Sequence, residues 1–119
     1  MPLDIFDPTR EYALHHPSGA VFTLRHWTVA DQELVERECI VQDGSDPSGS
    51  PLFKWNQTRD REIKIGLCVV GWSGVTMEGA PFECTAENKK KLPVGVQVWI
   101  FKEIEERAGL RMSAQEKKT

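Results

Sequence analysis

Three thiols, Cys39, Cys68 and Cys84, and three imidazoles, His15, His16 and His26, are the groups in this chain best suited to nucleophilic or metal chemistry. A zinc site needs ligand pairs at short spacing, and these cysteines stand far apart without such pairs. His15 and His16 are neighbours, so on a strand they project to opposite faces and do not converge on one ion. His26 can come across a hairpin to make a cross-strand pair, but surface strand histidines are the simpler expectation. A thiolate activated by imidazole performs acyl transfer. Cys39 and Cys68, however, fall in apolar helical stripes, where a thiol serves as a small buried hydrophobe. Cys84 stands just before a helix start, a position that lowers a thiol pKa, so Cys84 with a His is the single catalytic alternative. GWSGVTMEG, at 71–79, lacks the Lys and the preceding apolar strand of a phosphate-binding loop. Glu103, Glu105 and Glu106, beside Lys102 and Arg107, read as a solvated helix face with weak i, i+4 pairs. The expectation is a protein with no catalytic residues, no metal and no cofactor.

The bulk properties agree with a binding role. At 119 residues the chain has the size of one domain with a modest core, and 39% hydrophobic residues with four Trp are enough to fold it. A net charge of −3 excludes the clustered basic surface that phosphate neutralisation requires, so no nucleic-acid partner is expected. The run Lys89, Lys90, Lys91 ahead of Pro93 reads as a solvated face. An odd number of cysteines with no secretory signal implies reduced thiols and a cytoplasmic protein. No apolar run approaches a membrane span, so no membrane partner is expected either.

The elements that must position these groups follow from periodicity and turn chemistry. EYALHH, PSGA and VFTLRHW read as two strands about a turn, with Tyr12 and Leu14 on one face. Such a hairpin is marginal alone and needs an apolar neighbour. Thr28 caps a helix through VADQELVERECIV, where Val29, Leu34, Val35, Cys39 and Val41 recur near helical spacing. QDGSDPSGSP has the composition of a surface loop, expected to be mobile over 43–52. Asn56 caps a second helix over 57–70, in which Ile63, Leu67 and Val70 face inward while Arg59, Asp60 and Lys64 stay wet. Gly66 weakens that helix by about 1 kcal/mol relative to Ala, a cost consistent with close approach of another backbone; IKIGLCVV is also compatible with a strand. Gly71, Gly74, Gly79 and Pro81 then shape an ordered corner around Trp72, and Thr85 opens a short helix. Val94, Val98, Phe101, Ile104 and Ala108 trace a last helix ending at Gly109. The expected fold is α+β: an N-terminal β-hairpin followed by three or four helices, one small domain over 10–110 between tails at 1–9 and 111–119.

Aromatic residues gather in the connectors and on the last helix: Phe53, Trp55, Trp72, Phe82 and Trp99. Core packing accounts for part of this, and interface anchors are enriched in the same residue types. LCVVGWSGVTMEGAPFECTAENKKKLP, following the hairpin segment HPSGAVFTLRHWT, resembles small tailed-phage and prophage proteins of the tail assembly chaperone family. The resemblance runs from about Arg10 to Leu110 and is most specific from Gly71 to Asn88. It implies a non-catalytic protein of the host-cell cytoplasm that binds the tape-measure protein and helps recruit tail-tube protein. Trp72, Phe82, Trp99 and Phe101 are the candidate partner-binding residues, with self-association through the same helices as a store for that face. The alternatives are a head-tail connector or tail terminator that stays in the particle, and a small cytoplasmic enzyme or binding domain using Cys84 and a His.

Overall fold

The computed structural model describes residues 9–109 together with Pro2 and Asp7, so most of the N-terminal tail and all of the C-terminal one lie outside the described residues. The class is α+β, and the expected N-terminal hairpin is present. Strand β1 (Glu11–His15) pairs antiparallel with β2 (Val21–Arg25), setting Tyr12 opposite Leu24 and Leu14 opposite Phe22. With side chains alternating between faces, Leu14, Phe22 and Leu24 fall on one side and are all buried. The neighbour that the hairpin needed is partly another strand: β5 (Val69–Ser73) pairs with β2 and completes a sheet of order β1-β2-β5. Gly74, just past β5, has φ +72°, and a Cβ there would lie 3.3 Å from Ala20 Cα. Glycine therefore lets the end of β5 close against the first hairpin's turn.

Helices cover one side of this sheet. Helix α1 (Val29–Cys39) opens with a reciprocal capping box between Thr28 and Asp31, and α2 (Gln57–Cys68) opens on the Asn56 side chain, which accepts from the Arg59 N–H. The short α3 (Ala86–Lys89) is capped by Thr85, and α4 (Val94–Arg107) follows Pro93. Helix α2 lies between α1 and α4. Ile65 and Cys68 of α2 meet Ile100 and Ile104 of α4, with Leu14, Phe22, Leu24 and Val69 of the sheet, in the main core. Ile63, on another face of α2, meets Val35 and Cys39 of α1 in a smaller one.

Three sequence expectations change. Strands are interleaved with the helices rather than preceding them, because α1 and α2 each pass straight into a strand: Cys39 into β3 (Ile40–Ser45), and Cys68 into β5. The second helix thus stops at Cys68 instead of Val70, where the β-branched pair Val69–Val70 joins the sheet. The segment expected as a loop over 43–52 is largely a ribbon of β3 with β4 (Pro51–Trp55), and only residues 46–50 turn. In that turn the Asp46 carboxylate accepts the N–H groups of Ser48 at 2.9 Å and Ser50 at 3.0 Å, the local use that Asp and Ser composition favours. The corner after Trp72 contains a further two-residue ribbon, β6 (Thr76–Met77) with β7 (Ala80–Pro81). Its turn residues Glu78 and Gly79 both have positive φ, the geometry of a tight two-residue hairpin.

Candidate functional site

Three of the four expected partner-binding residues form a row and the fourth stands apart. Trp72, half-buried on β5, donates its indole N–H to the Phe82 carbonyl and stacks on the Phe82 ring at 6.0 Å with 9° between planes. Its other neighbour is Phe22, edge-on at 6.0 Å, and Phe22 lies 6.2 Å from Trp99 of α4. Trp99 in turn receives the edge of the His16 ring at 4.9 Å. One buried ring, Phe22, therefore links Trp72 and Phe82 to Trp99, all three half-buried at the surface. Phe101 follows Trp99 by two helical residues, a rotation of roughly 200°, and so points elsewhere. At 5% exposure, with Lys64 Nζ 5.0 Å from its ring centre, Phe101 is a core residue in this conformation and not a surface anchor.

The face of α2 expected to stay wet is instead partly sealed. Asp60 and Lys64 are both 3% exposed. Lys64 Nζ lies 2.9 Å from Asp60 Oδ1 and 3.5 Å from Glu105 Oε2, with the Trp27 ring at 5.7 Å. Glu105, read from sequence as part of a solvated face, is here a third member of the cluster. The Trp55 indole N–H donates to Asp60 Oδ2 at 3.0 Å. Two carboxylates, one ammonium and flanking rings thus tie α2 to α4 and to the foot of the ribbon. Burial of the charged groups is tolerable because each has an opposite partner close by.

Beyond that foot the ribbon belongs to neither core. Register places Ile40 opposite Trp55 and Gln42 opposite Phe53, so Ile40, Phe53 and Trp55 share one face, with Leu52 and Val41 on the other. Phe53 is 62% exposed, Ile40 49%, Leu52 47% and Trp55 39%. Sequence reasoning singled out Phe53 and Trp55 as apolar residues in a connector and missed Ile40 and Leu52. The signal that could have found them is the short apolar run LFKW bounded by Pro51 and Asn56, opposite IV across a turn-rich segment.

The reactive candidates lie apart and are damped. Cys39 and Cys68 are fully buried, and burial pushes the Cys68 thiol up to about 12. Burial also raises the Cys84 thiol, with Lys89 opposing only in part, which reverses the lowering expected from a helix start. Helix α3 after it is only four residues long, too short to exert a strong dipole. The His16 ring packs on Trp99 with Nδ1 2.7 Å from Ser18 Oγ, while the His26 ring lies 4.9 Å from that of Tyr12. Among the described residues no group of three or more His, Cys, Asp and Glu is placed to hold a metal ion, and no helix is long and apolar enough to cross a membrane.

Among the described residues, the aromatic row and the ribbon gather large apolar side chains at the surface. Compared with protein-family models, with curated proteins and with solved structures, the chain matches none of them.

Proposed function

We propose that this chain is a non-catalytic assembly factor that holds another protein through apolar surface, in the manner of a tailed-phage tail assembly chaperone acting on the tape-measure protein and tail-tube protein in the host-cell cytoplasm. The observation that carries the reading is the β3–β4 ribbon, which displays Ile40, Phe53 and Trp55 on one face while contributing to neither core. Large apolar side chains kept in water mark a surface that another molecule covers. A strand pair with free outer edges can also accept an extended segment by backbone pairing, with side-chain pockets adding selectivity. Trp72, Phe82 and Trp99, half-buried around Phe22, supply a second contact of the same character. The assignment to phage tails rests on the resemblance of the Gly71–Asn88 segment.

Capture of tape-measure fragments by the immobilised chain tests the reading. Phe53→Ala and Trp99→Ala, each with an unchanged thermal melt, are expected to lower capture severalfold. Capture that ignores both substitutions rejects it. The outer edges of the ribbon, which no described strand pairs with, also favour a second reading, a connector or tail terminator whose copies pair edge to edge in the particle. Mass spectrometry of purified particles separates the two, since a chaperone is absent from the finished virion and a connector is retained.

A further inference from the structure

Helix α2 carries a mid-helix glycine that the fold does not require. Gly66 has helical backbone angles, and a Cβ built on it meets nothing within 4 Å, so neither backbone strain nor a close neighbour demands glycine there. The expectation that another backbone approaches it is not met among the described residues. Glycine in place of Ala costs a helix interior about 1 kcal/mol. The open space in front of it belongs to a cavity of about 380 Å³ between α2, α3 and the start of α4. Its apolar wall is made by Ile65, Ala86 and Val94.

The rim of this cavity is cationic on a chain of net charge −3. Arg61, Lys89 and Lys90 line it, and among the described residues none of them has a carboxylate within ion-pair distance. The one acid on the rim, Glu62, is engaged by Arg59 at 3.5 Å. Among the described residues Arg61 Nε has no acceptor, and Lys89 Nζ reaches the Gly66 carbonyl at 3.0 Å. Three cations at an apolar hollow call for a carboxylate carried on an apolar body.

We infer that the α2–α3–α4 cavity binds a short acidic-apolar peptide segment of a partner protein, with its carboxylate on Arg61 and Lys90, its apolar side chain against Ile65 and Val94, and its backbone passing over Gly66. The missing side chain at Gly66 is what makes room for a backbone rather than only a side chain. This site is separate from the aromatic row and the ribbon, and it stands whether or not those surfaces bind a tail protein.

Fluorescence polarisation tests it with a dye-labelled pentapeptide alternating Leu and Glu, a counterpart alternating Leu and Lys, and octanoate as competitor. The Leu–Glu peptide is expected to bind in the micromolar range, the Leu–Lys peptide not to bind, and octanoate to displace only weakly. Gly66→Met fills the cavity without backbone strain, and Lys90→Glu puts a carboxylate at its exposed rim; each is expected to weaken Leu–Glu binding at least about tenfold, or about 1.4 kcal/mol. The rim variant keeps the test decisive if the buried-side variant fails to fold. Equal binding of the two peptides, or an unchanged dissociation constant in a folded Gly66→Met or Lys90→Glu chain, overturns the proposal. Saturation by octanoate without any peptide binding overturns it as well, assigning the cavity to a small amphiphile.

Discussion

The β1–β2 hairpin and the β3–β4 ribbon are both antiparallel pairs of five- or six-residue strands joined by turns of Ser, Gly and Pro. The first buries Leu14, Phe22 and Leu24, whereas the second buries nothing. Their ion pairs differ in the same sense. At the end of β2, Arg25 grips Asp31 through two nitrogens at 2.7 and 3.0 Å, with the Asp31 carboxylate also accepting the Thr28 N–H. On the ribbon, Lys54 and Asp43 stand 3.8 Å apart and are both largely exposed. Strand pairing alone is thus not what distinguishes structural from available surface. A hairpin becomes core when helices cover one face, and an apolar face left uncovered is free for another molecule.

The sharpest way to break that contrast is to truncate one phenylalanine in each pair. Phe22→Ala, at 2% exposure, is expected to cost about 3–5 kcal/mol in urea unfolding, whereas Phe53→Ala should stay within about 0.5 kcal/mol. Comparable losses would mean that the ribbon is packed in solution and the comparison fails. The ion pairs give a second, smaller test. Burial by itself raises the Asp31 carboxyl, but the Arg25 guanidinium and the Thr28 N–H and hydroxyl outweigh it and hold the group below the usual range. A lowered folded-state pKa means that the stabilisation is complete above the unfolded value of about 3.9 and fades as the pH falls through the folded one. Asp31→Asn is therefore expected to cost about 2 kcal/mol at pH 7, with the gap to the parent closing below about pH 4. Asp43→Asn should shift the unfolding midpoint at neither pH, as expected of an exposed pair. A smaller loss than those of Phe22→Ala and Asp31→Asn is expected at the junction of the two regions. Trp55→Phe keeps the ring and removes the donor to buried Asp60, for an expected loss of about 1 kcal/mol. A loss confined to stability, with capture of tape-measure fragments retained, would assign Trp55 to anchoring the ribbon rather than to its binding face.

Local chemistry made some of this legible in the sequence. Thr28, Asn56 and Thr85 cap helices as read, because a cap is a contact between residues three apart. The first hairpin was equally readable from Pro17, Ser18 and Gly19 between alternating segments. The ends of α1 and α2 were not, since Val41 and Val70 continue the helical stripes, while Ile40, Val41 and Val69 become strand only by finding partners in β4 and β2. Of the candidate binding residues, Trp72, Phe82 and Trp99 reach one row through Phe22, a residue no motif connected to them.

By itself the sequence determined what is settled within a few residues: turns, caps, the alternation of the first two strands, and a composition able to build one α+β domain. Only the tertiary structure decided which apolar and charged groups leave water. Lys64 is buried because Glu105, 41 residues away, comes to meet it, and Phe53 is exposed because nothing among the described residues covers it. Burial is a property of pairs distant in the chain, and a one-dimensional pattern lists the members of such pairs without bringing them together.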